Sequence, residues 1–99
     1  MKENRFQSDL IHELKERFPG CMVLKNDSGY LQGIPDLSVF YNSRWAFLEC
    51  KKSANEPKRP NQQFYVDWAN KVGGFARFIF PENKEDVLNE LQSAFEPNR

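Results

Sequence analysis

Gly33-Ile34-Pro35-Asp36-Leu37-Ser38-Val39-Phe40-Tyr41-Asn42-Ser43-Arg44-Trp45-Ala46-Phe47-Leu48-Glu49-Cys50-Lys51 is the stretch from which the fold can be read. Two β-rich runs, 37–41 and 45–51, flank Asn42-Ser43-Arg44, which suits a tight connection, so the stretch reads as a hairpin. Successive side chains of a strand point to opposite faces, so Glu49 and Lys51 share one face and Cys50 takes the other. With the hairpin closed, Asp36, placed just after Pro35 at the mouth of the first strand, comes to the end that faces Glu49. Trp45 and Phe47 share the Glu49/Lys51 face. That face therefore begins apolar and turns charged, which is odd for a merely solvated surface.

Outward from the hairpin, the apolar residues take helical spacing. Phe6, Leu10, Ile11, Leu14 and Phe18 form one stripe, ended by Pro19-Gly20. Cys21-Met22-Val23-Leu24 follows as a short strand, and Lys25 to Gly29 reads as a turn or loop. On the far side, residues 53–60 are polar, contain two prolines and read as a loop. Pro60 suits the first position of a helix with Phe64, Tyr65, Trp68, Ala69 and Val72 on one face, stopped by Gly73-Gly74. Residues 75–80 predict a last strand. A final helix follows Pro81 to Asn83, with Val87, Leu88, Leu91 and Phe95 inward. The order αβββαβα predicts an α/β domain whose mixed central sheet is flanked by helices.

At 99 residues and 11.7 kDa, one domain over residues 1–99 is expected. Fourteen basic residues balance fourteen acidic ones, which argues against a polybasic nucleic-acid coat protein. No apolar run approaches the ~20 residues of a membrane span, and no signal-peptide core follows the N-terminus. A cytoplasmic protein without membrane partners is expected. Cys21 and Cys50 stand alone without a nearby histidine, which excludes a paired zinc site and leaves two small apolar side chains. His12, the single histidine, has no nucleophile at a telling spacing and is expected on a solvated helix face. Any chemistry must then run on carboxylates, lysines and amides, without an organic cofactor.

Asp36 and Glu49 with a backbone carbonyl make a hard oxygen set suited to Mg²⁺ or Mn²⁺. Lys51 beside them would orient a water or stabilise developing negative charge. On these residues alone, a strand salt bridge between Glu49 and Lys51 is an equal reading. The first helix adds a clue. Glu3 and Gln7 fall at about 60° and about 100° on its wheel, inside the apolar arc from Phe6 to Ile11. A carboxylate and an amide there want a polar partner, although a frayed first turn would explain Glu3 equally well. Glu13 falls at the edge of the arc. Gln62 is a further candidate, at the start of the second long helix, where an exposed first-turn residue is the ordinary reading.

These residues resemble the PD-(D/E)xK nuclease superfamily, and most closely its small VRR-Nuc branch. Pro35-Asp36 with Glu49-Cys50-Lys51 is similar to the name-giving motif. Glu3-Asn4-Arg5-Phe6-Gln7 resembles the branch's E-x-x-x-Q, and Gly33-Ile34-Pro35-Asp36-Leu37 its G-x-P-D-L. Pro60-Asn61-Gln62-Gln63-Phe64 followed by Gly73-Gly74 resembles the helix bearing its Q motif. Four motifs in order across residues 3–90 are far more specific than any one of them. The resemblance implies a restriction-endonuclease-like core and Mg²⁺- or Mn²⁺-dependent hydrolysis of DNA phosphodiesters. Asp36, Glu49 and the Cys50 carbonyl would bind metal, supported by Glu3, with Gln7 behind them. Lys51 would serve the attacking water, and Gln62 would position Lys51 or the phosphate. It also implies a homodimer of the Holliday-junction-resolvase kind, from a phage or bacterium. One departure is Tyr30-Leu31-Gln32, where a basic residue is expected ahead of G-x-P-D.

A structure-selective endonuclease for branched DNA is the leading expectation. A nicking or restriction-type enzyme on linear duplex and a catalytically silent nuclease fold that binds DNA or protein are the alternatives. The charge balance fits the first two once it is resolved along the chain. Residues 82–96 carry net −4, whereas the chain up to Pro81 has twelve basic and nine acidic residues. Lys25, Lys52, Lys58 and Arg59 are the expected DNA contacts. Tyr30, Tyr41 and Phe80 are expected as exposed aromatics available to an interface.

Overall fold

The computed structural model describes residues 3–98, with side chains from Asn4 onward. Its elements are α1 (Glu3–Arg17), β1 (Met22–Lys25), β2 (Leu37–Tyr41), β3 (Arg44–Cys50), α2 (Pro60–Lys71), β4 (Phe75–Ile79) and α3 (Lys84–Phe95). The order is the expected αβββαβα. One sheet runs β1-β2-β3-β4, antiparallel from β1 to β3 and parallel between β3 and β4. A parallel pair needs a crossover, and α2 supplies it. The result is a restriction-endonuclease-like α/β arrangement with helices on both faces of a mixed sheet. Among the described residues, no helix is long and apolar enough to cross a membrane.

The central hairpin is tighter than the sequence predicts. Arg44 pairs with Tyr41, leaving a two-residue turn, with Asn42 at φ 51° and Ser43 at φ 62°. Left-handed residues at both positions match the twist of two-residue hairpins. Lys51 lies just beyond β3, but its N–H still donates to the Ile79 carbonyl at 2.9 Å. It continues along β4 instead of leaving the sheet. β1 begins one residue later than expected, at Met22, with Cys21 half-buried ahead of it.

The main core lies on one face, where α1 and α3 cover the sheet. Leu10 and Leu14 of α1, Phe18 just after it, and Leu88 and Leu91 of α3 are buried against Leu37, Val39, Leu48, Cys50 and Ile79. Each such Leu or Phe contributes roughly 1.5–3 kcal/mol. Lys84 Nζ reaches Glu13 at 2.8 Å, and Arg17 Nη1 donates to Asn89 at 3.1 Å, tying α3 to α1. Glu13 is thereby engaged in an ion pair between helices. His12 is exposed, as expected.

The other face corrects the reading of α2. Val66 and Ala69 are its buried residues, packed with Ala76, Phe78, Trp45 and Phe47. Phe64, Trp68 and Val72, expected to face inward with Ala69, are 61%, 43% and 51% exposed. Twelve residues of helix cover only β3 and β4, so this stripe has no sheet beneath it and Met22, Leu24 and Phe40 stay uncovered as well. Gly74 closes the helix against Trp45, where a Cβ would sit 2.6 Å from the indole.

Two aromatics expected at the surface are not free there. The Tyr41 ring lies 5.3 Å from that of Phe18 and 5.8 Å from that of Phe95, because its strand position faces the main core. Phe80, one residue past β4, is half-buried. Tyr30 alone keeps the predicted exposure, at 89%.

Candidate active site

The register that pairs Leu37 with Leu48 brings Asp36 opposite Glu49, where the β2–β3 ladder ends. There the two carboxylates replace the missing backbone bonds. The Asp36 N–H donates to Glu49 Oε1 at 3.1 Å, and the Cys50 N–H donates to Asp36 Oδ2 at 2.9 Å. The Asp36 segment is fixed from behind by Asn26. Its N–H donates to the Asp36 carbonyl at 2.8 Å, and its Nδ2 donates to the Pro35 carbonyl at 2.9 Å and to Ser38 Oγ at 2.8 Å.

Gln62 enters from the first turn of α2. Its Nε2 donates to Glu49 Oε2 at 3.0 Å, and its Oε1 accepts from Lys51 Nζ at 2.7 Å and from the Arg59 N–H at 3.1 Å. The last contact also satisfies one of the N–H groups that every helix start leaves without an intrahelical partner. Gln62 is therefore an amide bridge between a carboxylate and an ammonium. Glu49 and Lys51 are 4% and 3% exposed, with Lys51 Nζ 4.0 Å from Glu49 Oε2. This sets aside the solvated-strand reading of the pair, since charges taken this far from water persist only where partners replace it.

A third carboxylate, Glu56, was not legible in the sequence. It sits in the loop after Lys51, accepts the Lys52 N–H at 2.8 Å and lies 3.4 Å from Lys51 Nζ. Loops carry no periodicity, so only the five-residue spacing from Lys51 could have marked it. Three carboxylates around one ammonium leave the site net negative. Burial pushes the Asp36 carboxyl above the ordinary range and the nearby Glu56 charge adds to this. The Cys50 N–H and the Lys51 ammonium oppose the rise without cancelling it. Burial raises Glu56 too, but there the Lys52 N–H and the Lys51 ammonium more than offset it, and the carboxyl falls below its usual value.

The other predicted residues divide by position. Lys25 ends β1 opposite Leu37, next to Asp36, and Lys52, Lys58 and Arg59 follow Lys51 on the loop to α2; all four are exposed. The Lys58 ammonium lies 4.8 Å over the Phe78 ring. Gln7 is half-buried on α1, across the sheet from Lys51, and no hydrogen bond joins it to Asp36, Lys51 or Gln62 among the described residues. Glu3 opens α1, but its side chain lies outside the described residues. The acidic α3 packs on the face opposite Glu49 and Lys51.

Among the described residues, no three His, Cys, Asp or Glu side chains gather closely enough to hold a metal ion by themselves. The donors present at the strand ends are two carboxylates and a backbone carbonyl. That set suits Mg²⁺, which takes one or two carboxylates and fills its octahedron with water and substrate oxygen.

Central strand ends presenting paired carboxylates and a buried lysine, under a helix that supplies an amide, define a nuclease-like class of α/β domain. Among the solved structures that this chain resembles are two of the same description. One, described as a VRR_NUC domain, is 30% identical over 89% of this chain and 94% of that one, with a TM-score of 0.69. The other, described as a VRR_NUC domain protein, is 19% identical over 95% and 90% of the two chains, with a TM-score of 0.74, and speaks for the fold alone. No protein-family model matches the chain, and no curated protein matches it. The chain belongs to the VRR-Nuc family and is a nuclease domain.

Proposed function

We propose that this domain is a metal-dependent DNA endonuclease, selective for branched DNA such as four-way junctions and acting as a homodimer. The observation that carries the reading is the reciprocal bonding of Asp36 and Glu49, with Lys51 held beside them by Gln62. The pairing brings two carboxylates together at the strand ends and leaves the site short of positive charge. Asp36, Glu49 and the Cys50 carbonyl would hold Mg²⁺ or Mn²⁺, with Glu3 as a further donor. When bound, the ion supplies polarisation of the phosphoryl oxygen and offsets the negative charge that builds on the phosphate.

The chain's own groups do the rest. Lys51, fixed by Gln62 Oε1, presents its ammonium to the attacking water or to a phosphate oxygen. The new P–O bond forms to the water oxygen, whose proton passes to solvent, as the bond to the leaving oxygen of the DNA breaks and that oxygen takes a proton from solvent water. Gln62 keeps Lys51 and Glu49 apart at a fixed spacing, so that neither collapses onto the other. Lys25, Lys52, Lys58 and Arg59 meet DNA phosphates, contacts that make binding salt-dependent. With α3 turned to the opposite face, its acidic residues do not confront the DNA.

The homodimer is supported by the uncovered apolar residues of the site-bearing face: Phe64 and Trp68 on α2 and Val72 at its end, with Met22, Leu24 and Phe40 on the sheet. The test is cleavage of synthetic four-way junction, flap, linear duplex and single-stranded DNA with Mg²⁺ or Mn²⁺, alongside light scattering of the intact protein. Loss of cutting in Asp36→Ala and Glu49→Ala is expected. Cutting by either variant at the wild-type rate would overturn the assigned site. Linear duplex cut as fast as junction would replace the branched-DNA preference, and a monomer at micromolar concentration would remove the homodimer.

A further inference from the structure

Beside the carboxylates, a cleft of about 410 Å³ opens between Ser28, Gln32 and Gly33 on one side and Arg59, Asn61 and Gln62 on the other. None of these residues is acidic, and Arg59 is the one charged group among them. Gln62 belongs both to this cleft and to the Lys51–Glu49 bridge, so the cleft adjoins the reacting centre. Tyr30 belongs to the loop that forms one wall, between Ser28 and Gln32 in sequence, with 89% of its surface exposed.

The loop that carries Tyr30 is pinned at several points. Asp27 accepts the Gly29 N–H through Oδ1 at 2.7 Å and the Tyr30 N–H through its carbonyl at 3.1 Å. The Ile34 N–H donates to the Leu31 carbonyl at 3.1 Å, and Gly33 packs directly on Asn61, where even a Cβ would not fit. An aromatic ring left this exposed gains nothing for the fold, yet its backbone is held in place. A preorganised exposed ring lowers the ordering cost of whatever binds it.

We propose that this cleft receives an unpaired nucleotide of the DNA next to the phosphate to be cut, with Tyr30 stacking on its base. The inference rests on the nuclease reading and deepens it, since it names the structural feature of the substrate that the site selects. The chemistry of the walls matches a nucleotide. Gln32 and Asn61 each present a donor and an acceptor, the complement of a base edge freed from pairing. Arg59 supplies one cation for the adjoining phosphate. The volume lies in the range of sites that enclose small organic ligands. A fully paired duplex keeps its bases stacked and offers Tyr30 no free face. Branch points, gaps and frayed ends do offer one.

The experiment uses the intact chain without added metal and a duplex carrying one unpaired 2-aminopurine, compared with the same duplex fully paired. Wild type and Tyr30→Phe are expected to quench the unpaired 2-aminopurine and to bind that DNA more tightly than the paired one. Tyr30→Ala is expected to lose the quenching and about tenfold in affinity for the DNA with the unpaired base, the usual effect of removing an aromatic stacking partner. Gln32→Ala is expected to narrow the preference without abolishing quenching. Equal quenching and affinity in wild type and Tyr30→Ala would overturn the proposal, as would equal wild-type affinity for the two DNAs. Failure of the cleft is separable from failure of the nuclease reading. Metal-dependent cleavage whose preference is unchanged in Tyr30→Ala sinks the cleft alone, whereas wild type that cuts no DNA with either metal sinks the nuclease reading, whatever the fluorescence shows.

Discussion

Gln62 Oε1 lies 2.7 Å from Lys51 Nζ while the other end of the same amide holds Glu49, so one helix residue sets the spacing of a buried lysine and a buried glutamate. The sequence distance between Lys51 and Gln62 is spanned by a loop. Their contact therefore depends on α2 docking over β3 and β4.

Gln62→Ala is predicted to leave the fold in place and to slow cleavage about 10–100-fold, the usual effect of removing a group that orients reacting side chains. Gln62→Glu keeps an acceptor for Lys51 but brings a second carboxylate against Glu49 Oε2. It is predicted to be less stable than wild type without metal and no faster than Gln62→Ala. Single-turnover rates and thermal melts check both, and a Gln62→Ala enzyme as fast as wild type would remove the positioning role.

The metal-free protein is predicted to be stabilised by Asp36→Asn. Burial raises the Asp36 pKa, so the folded chain holds this proton at a pH where the unfolded chain, near ~3.9, has released it. The stability tied to that proton is present at low pH and falls as pH rises from about 4 through the raised value, then levels off. Glu56 runs the opposite way, since its pKa is lowered. Its contribution is present above the unfolded value of ~4.3 and lost as pH falls. Asp36→Asn removes only the first effect and retains an oxygen acceptor for the Cys50 N–H. Its Tm should therefore exceed that of wild type by a margin that widens between about pH 4 and pH 7. A constant margin across that range would contradict the desolvated carboxylate.

Gly33→Ala is predicted to cost about 1–3 kcal/mol and to reduce cleavage together with stability. Gly33 sits at φ +88°, and an added Cβ would lie 2.4 Å from the Asn61 Cβ and 2.9 Å from its backbone carbon. The loop or the start of α2 must shift, and Gln62 moves with the latter. Chemical denaturation with urea measures the cost.

Ser43→Gly is predicted to stabilise the protein by about 0.5–1 kcal/mol without changing cleavage. Ser43 holds a left-handed backbone in the hairpin turn, which costs a side-chain-bearing residue more than glycine. The turn lies at the opposite end of the hairpin from Asp36. A variant less stable than wild type would show that the Ser43 side chain contributes a contact outweighing its backbone.

The element order and the facing of Asp36 and Glu49 were legible because both rest on local rules. A two-fold side-chain period and a short polar connection fix which residues of one hairpin share an end. The tight hairpin also explains why the Glu49/Lys51 face could be seen to turn from apolar to charged. Gln62 stood out by its place after the loop, but its role was legible only through the family resemblance, because nothing in a first-turn glutamine distinguishes a solvated amide from one inserted between two charges. Glu56 and Asn26 were missed for a similar reason: each lies in a loop, where no period constrains the direction of a side chain.

The sequence by itself determined the hairpin, the interleaving of helices and strands, and the placing of two carboxylates and a lysine at one sheet end. The zero net charge, too, could be resolved into an acidic last helix and a mildly basic remainder without coordinates. Only the tertiary structure decided which side of α2 is buried. The periodicity of Phe64, Trp68 and Val72 names an apolar stripe, but the helix lies over β3 and β4 alone and leaves that stripe uncovered. It also decided that Lys51 and Glu49 are buried together, that Glu56 completes their surroundings, and that a cleft opens beside them between Gln32 and Asn61. These are contacts between segments distant in the chain. They exist only when the packing of α2 and two loops against the sheet closes the space between them.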